Sequence, residues 1–164
     1  MRLSSRSFEH RGEIPAEFAF GKPGASEPIA LSDNRNPHLA WEGVPKEAKS
    51  LVLLCVDPDV PTVAETVNKD DREVPADQPR GHFFHWVMVG LAPRDGEIAA
   101  GSCSDGVTAR GKKDPPGPAG TRQGLNDYTG WFAGDADMAG DYMGYDGPCP
   151  PFNDALVHRY FFRL

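Results

Sequence analysis

Apolar residues gather in three runs along this chain, and each run has the length and composition of a β-strand. Ser50 to Val56 (SLVLLCV) is nearly continuous, aliphatic and β-branched, and it predicts a strand covered on both faces that stops at Asp57-Pro58. Phe83 to Leu91 (FFHWVMVGL) is similar, with Phe83, His85, Val87 and Val89 on one face and Phe84, Trp86 and Met88 on the other. Val157 to Leu164 (VHRYFFRL) sets His158, Tyr160 and Phe162 on a common face. Shorter strands are predicted at Phe18 to Phe20, Ile29 to Leu31 and Leu39 to Trp41. Helical signals are poor: Val60 to Arg80 is broken by Pro61, Pro75 and Pro79, and Asp105 to Gly130 is rich in glycine and proline. The pattern predicts a mostly-β domain with two long ordered loops.

Composition narrows the choice of partner. At 164 residues, 39% hydrophobic and 25% charged, the chain predicts a single domain with one core, spanning residues 1 to 164. Lysine plus arginine number 17 against 24 aspartate plus glutamate, a net charge of -7. That balance tells against a nucleic acid, which meets a basic face, and against flat adhesion to anionic lipid. Nothing approaches the roughly 18 apolar residues of a membrane span, and the N-terminal segment lacks the apolar run of a signal peptide, so a cytoplasmic location is expected. Cys55, Cys103 and Cys149 are an odd set without metal-type spacing, which reads as reduced thiols.

The candidate chemistry lies where polar groups interrupt these runs. In Asp57-Pro58-Asp59-Val60-Pro61 the prolines remove backbone donors and fix φ, holding two carboxylates on a stiff backbone; an ordinary turn after a strand is the plainer reading. His85 sits inside an apolar strand and needs a partner for at least one ring nitrogen. A backbone carbonyl or water satisfies a structural histidine, whereas Asp57 or Asp59 reaching the ring favours an imidazolium that donates to phosphate. In Gly147-Pro148-Cys149-Pro150-Pro151 only Gly147 and Cys149 keep an N–H, and those donors suit an oxyanion, unless the loop is merely a stiff connection. His158 and Tyr160, two apart on one face, both point where a single bound oxygen can be met, although Tyr160 also serves as an ordinary buried phenol. Together the segments predict a small preformed anion pocket.

These residues carry a resemblance. Asn36-Pro37-His38-Leu39-Ala40-Trp41, Asp57-Pro58-Asp59-Val60-Pro61, His85-Trp86-Val87, Gly124-Leu125-Asn126-Asp127-Tyr128, Gly144-Tyr145-Asp146-Gly147-Pro148-Cys149-Pro150-Pro151 and His158-Arg159-Tyr160 follow in the order of the phosphatidylethanolamine-binding protein family, also called the Raf kinase inhibitor protein family. The chain resembles its bacterial branch over nearly its whole length. The resemblance implies a large antiparallel sheet packed against a smaller one, little helix, and an anion pocket at one end. It transfers pocket roles to Asp57, His85, Gly147, His158 and Tyr160, with Asp59 and Pro148 shaping the wall. It implies a phosphate-like anion or phosphoethanolamine head group as ligand, a protein partner such as a kinase or protease, no cofactor, and action by binding without a catalytic mechanism. Phosphate is thus expected on His85, Tyr160 and the Gly147 amide, while Asp57 orients an imidazole or meets an ammonium.

Two features depart from that family. A C-terminal segment that includes helix usually follows the last strand, and here the sequence reaches Leu164 only a few residues past His158-Arg159-Tyr160. Thr129 to Met143 is an enlarged separation carrying Trp131 and Phe132 beside Asp135, Asp137 and Asp141, a candidate lid, dimer contact or piece of surface packing. Two other chemistries fit the same residues. One is a hydrolase with Cys149 as nucleophile, His158 or His85 as base and Asp57 as orienter. The other is a divalent-metal site from Asp57, Asp59, His85 and His158.

Overall fold

The computed structural model describes Met1 to Leu164. Its two long central strands are β5 (Leu51–Pro61) and β6 (Arg80–Leu91), which follow the short strands β1 (Arg2–Ser4), β2 (Gly21–Pro23), β3 (Ile29–Leu31) and β4 (Leu39–Glu42). After them come β7 (Gly96–Ile98), β8 (Arg122–Gln123), the single-turn helix α1 (Tyr128–Trp131) and β9 (Phe161–Arg163). Every strand pair is antiparallel: a four-stranded sheet in the order β8-β6-β5-β9, a three-stranded sheet in the order β1-β4-β7, and the hairpin β2-β3. The main core lies between the first two sheets. Leu51, Leu53 and Cys55 of β5 and Trp86, Met88 and Leu91 of β6 meet Leu39 and Trp41 of β4 and Ile98 of β7 there. The expected mostly-β architecture is therefore present, and no helix is long and apolar enough to cross a membrane.

Three expectations about elements change. The strand over residues 50 to 56 does not stop at Asp57-Pro58 but runs on to Pro61, with Val60 opposite Gly81 and Pro61 opposite Arg80. Pro58 lacks an N–H, and the ladder slips between Asp57 and Val60, so the proline sits at an irregularity where no donor is needed. A second slip between Cys55 and Val56 breaks the alternation and leaves both buried. Phe18 to Phe20 is not a strand. Ala16–Phe18 forms a 3-10 turn entered from Pro15, with Phe18 and Ala19 donating to the carbonyls of Pro15 and Ala16.

The final strand is shorter than its pattern, covering only Phe161–Arg163 against Leu54–Val56. Just before it, Arg159 N–H donates to the Asp59 carboxylate at 2.9 Å, so a side chain takes the place of a ladder partner. The alternation survives: His158, Tyr160 and Phe162 turn inward while Val157, Arg159 and Phe161 are exposed.

Candidate functional site

A cleft of about 310 Å³ lies at one end of the four-stranded sheet, near the lower limit of small-molecule sites (about 300 Å³). One wall is the continuation of β5, through Asp57, Val60 and Pro61; another is β6, through Phe83 and His85. Cys149, Pro150, Pro151, His158 and Tyr160 close the C-terminal side. Aromatic packing builds the remaining wall. Phe20 stacks on Tyr128 at 4.4 Å and Tyr128 on Phe132 at 5.7 Å, while Trp131 and Met138 lie along the mouth with Ile29 and Leu31 of β3. The enlarged segment Thr129 to Met143 is thus part of the cleft, with Phe132 and Tyr142 packed into a second core cluster around Phe20 and Tyr128. Trp131 stays half exposed at the rim.

Two rings of the cleft lining, His85 and Tyr160, each keep a polar atom without a protein partner. His85 is held by one ring nitrogen: Nδ1 lies 2.8 Å from the Asp146 carbonyl oxygen, and no protein group hydrogen-bonds Nε2. Burial pushes the pKa of this imidazole below its ordinary value, against the opposing pull of the Asp146 carbonyl and the Asp57 charge. Tyr160 stands beside it, ring centroids 5.2 Å apart, and its hydroxyl is buried with no hydrogen-bond partner. Burial, then the charge of Asp57, raises this phenol well above its ordinary range, so it is an O–H donor at neutral pH. The neighbouring Tyr128 hydroxyl is already engaged, donating to the Gly147 carbonyl at 2.8 Å.

His85 takes its position from a buried network behind it. Asp146 N–H donates to the His85 carbonyl at 3.0 Å, so this loop meets β6 through both the backbone and the ring. The Asp146 carboxylate, 1% exposed, receives Asn34 Nδ2 at 2.7 Å, Asn126 Nδ2 at 2.8 Å and Lys112 Nζ at 2.5 Å. A buried carboxylate is tolerable only with such partners. Asn126 and Asp146 stood in the sequence motifs without a role; nothing in the sequence pattern pointed to Asn34 or Lys112.

Asp57 does not reach His85. Its Oδ2 lies 2.6 Å from His158 Nδ1, and its Oδ1 accepts from Asp59 N–H at 2.7 Å. His158 Nε2 is met in turn by Asp154 Oδ2 at 3.0 Å, and Asp154 also takes both Nη atoms of Arg80, at 2.6 and 3.0 Å. Burial disfavours the imidazolium, but the two carboxylates outweigh it and raise the pKa of His158. With both ring nitrogens occupied, His158 cannot donate to a ligand, contrary to expectation. Arg80 and Asp154 were absent from the expected site.

Three more expected residues take other roles. Gly147 N–H donates to Asn34 Oδ1 at 2.8 Å, so it is not an anion donor, and a Cβ here would lie 2.1 Å from the Phe18 carbonyl oxygen. Close approach of backbone, not of ligand, requires the glycine. Asp59 grips Arg159 through Nε at 2.9 Å and Nη2 at 2.8 Å, and those bonds hold its carboxyl below the usual range; it does not line the cleft. Pro148 likewise lies off the cleft, and its carbonyl accepts from Phe20 and Gly21.

The competing chemistries find little support in this geometry. Cys149 faces the cleft, but burial pushes its thiol up to about 11, and no imidazole hydrogen-bonds it. No group of three or more histidine, cysteine, aspartate or glutamate side chains is arranged to hold a metal ion.

Comparison with known proteins bears on the whole arrangement. A family model described as phosphatidylethanolamine-binding protein matches residues 4–164. The UPF0098 protein of Methanothermobacter thermautotrophicus is 32% identical over 164 residues, covering all of this chain and 74% of that protein. The crystal structure of a phosphatidylethanolamine-binding protein homologue from Chlamydia trachomatis superposes with a TM-score of 0.56 at 27% identity, covering 98% of this chain and 70% of that one. That of Escherichia coli YbcL, described as a new member of the mammalian family, gives 0.62 at 23% identity over 98% and 73%, a likeness of fold.

Proposed function

We propose that this chain, which belongs to the phosphatidylethanolamine-binding protein family, is a binding module whose cleft holds the oxyanion head of a small ligand between His85 Nε2 and Tyr160 Oη. The head is phosphate or the phosphate of a lipid head group such as phosphoethanolamine. One observation carries this reading: two adjacent rings that line a largely apolar cleft, His85 and Tyr160, each keep a polar atom without a protein partner. A buried hydroxyl left unsatisfied costs about 1–3 kcal/mol, and a ligand oxygen removes that cost. The body of the ligand then lies along Phe83, Phe132 and Trp131. Asp57, already paired with His158, shapes the floor from β5.

The module acts by occupancy. Cys149 is held protonated and has no base beside it, so the cleft lacks an activated nucleophile. Occupancy is read at the rim, where Leu31 and Trp131 are exposed beside the mouth, by a protein partner of the kinase or protease kind that the family resemblance implies. Calorimetric titration of phosphoethanolamine and acetate into the wild type and His85→Ala tests the site. The variant is expected to bind at least about tenfold more weakly, the loss of roughly one charge-assisted hydrogen bond; equal binding by both proteins rejects the assignment.

A further inference from the structure

Granting that reading, the geometry also constrains the protonation state in which the head is held. The Asp146 carbonyl can only accept, so His85 Nδ1, 2.8 Å away, carries the hydrogen, and Nε2 of the neutral ring presents a lone pair to the cleft. Tyr160 Oη supplies an O–H beside it. No lysine or arginine lines the cleft. The titratable groups facing His85 are Asp57 from β5, His158, Tyr160 and Cys149 from the C-terminal side, and Tyr128 from α1. Of these, Asp57 and His158 neutralise each other, and the remaining three are protonated and uncharged. Behind the ring, the Asp146 carboxylate is answered by Lys112. The floor therefore offers one acceptor and one donor side by side, with no free positive charge. A bare dianion would set an oxygen lone pair against the lone pair of Nε2.

We propose that the cleft takes its oxyanion only together with one proton, so that it selects phosphate monoesters in their singly protonated form over the dianion. The proton arrives either on the ligand, whose P–OH donates to His85 Nε2, or from solvent onto the ring, which then donates to the ligand oxygen. Both routes give the same bound complex, an oxyanion hydrogen-bonded through one shared proton to Nε2 and through a second, from Tyr160, to its other oxygen. No bond other than those to the proton changes.

Phenyl phosphate and phenyl sulfate test this as a pair. They share shape and apolar body, but the sulfate has no proton to bring, so its pH dependence reports the ring alone. Calorimetry from pH 5.5 to 8.5, in two buffers of different ionisation enthalpy, reads both affinity and proton exchange. Phenyl phosphate is expected to weaken by about tenfold per pH unit above its second ionisation, near about 6, and to take up close to one proton per ligand at pH 7.5. Phenyl sulfate, whose proton must come onto the ring, is expected to weaken by a similar factor per pH unit and so to trail the phosphate by a near-constant factor above about pH 6. In His85→Gln the sulfate profile becomes flat; should that variant not fold, the ¹⁵N signal of wild-type His85 Nε2 serves, moving to the protonated position when sulfate binds. Phenyl phosphate affinity that holds or rises to pH 8.5 with no proton exchanged overturns the inference and leaves the oxyanion site standing. Absence of saturable binding by either compound at every pH overturns both.

Discussion

The side chains of His85 and His158 are both buried and both line the same cleft, yet their surroundings are opposite. His158 lies between two carboxylates, 2.6 Å from Asp57 and 3.0 Å from Asp154, and its charge is stabilised where it stands. His85 has a single backbone carbonyl at 2.8 Å and is driven towards neutrality by burial. A histidine with carboxylates on both sides looks like the more active group, but every hydrogen bond it can make is taken. The poorly provided histidine keeps a nitrogen for something else. In a buried site the informative quantity is thus the bonding capacity left over, not the number of charges nearby.

Removing a carboxylate separates the two roles most sharply. Asp57→Ala leaves the Asp59 N–H and one nitrogen of His158 without their acceptor in a region where Asp57 and His158 side chains are 2% and 1% exposed. A loss of about 3–5 kcal/mol is expected, as when one partner of a buried pair is deleted. Asp154→Ala, off the cleft, is expected to cost a similar amount, because it strips both Arg80 and His158. His85→Ala, measured by the same denaturant titration, is expected to cost clearly less while abolishing most ligand binding. If His85→Ala proves the more destabilising of the three, the division into a structural and a ligand-facing histidine is wrong.

Tyr160→Phe works in the opposite sense. Its hydroxyl is buried without a partner, so deletion removes an unsatisfied polar group and is expected to leave stability unchanged or raise it by about 1 kcal/mol. Ligand affinity is expected to fall by about tenfold, the loss of one hydrogen bond. Melting temperature and titration on the same sample check the pair of effects; a less stable variant with normal binding would mean that the hydroxyl serves the fold.

The outline of this division was legible before the structure, and its detail was not. Alternation placed His158 and Tyr160 on one inward face and marked β6 as a buried strand, because period-two patterning depends only on the chain itself. Register slips do not show in such a pattern. The slip at Cys55–Val56 and the continuation of β5 through Pro58 arise where proline and pairing partners meet, and they are what carries Asp57 to His158 instead of His85. Gly147 was read as making room for a ligand when it makes room for the Phe18 carbonyl, a contact across roughly the whole length of the chain. Asn34 and Lys112, which hold Asp146 and through it His85, come from separate loops with no periodic signal. Of the apolar wall only Trp131 and Phe132 were marked, as a candidate lid; Phe20 and Ile29 join them only once the loops close.

The smallest expected effect is also the one most specific to the comparison, because the two histidines should bend the stability profile in opposite directions. For His158 the folded pKa lies above the unfolded value of about 6.5. Its contribution is therefore fully present below that value and is lost as pH rises through the raised folded pKa. For His85 the folded pKa lies below about 6.5, so folding is unpenalised above that value and becomes less favourable as pH falls towards the folded pKa, since the unfolded chain binds the proton first. Subtracting the profile of His158→Gln from the wild type should give a difference that grows on acidification from pH 8 to pH 5. The same subtraction with His85→Gln should give one that shrinks. The two slopes partly cancel in the wild type, so a flat profile there says nothing; slopes of the same sign in both variants would show that the two rings share one environment after all. Oxyanion binding should then invert the His85 contribution alone, because a bound anion stabilises the protonated ring at Nε2 and has no open nitrogen to meet on His158.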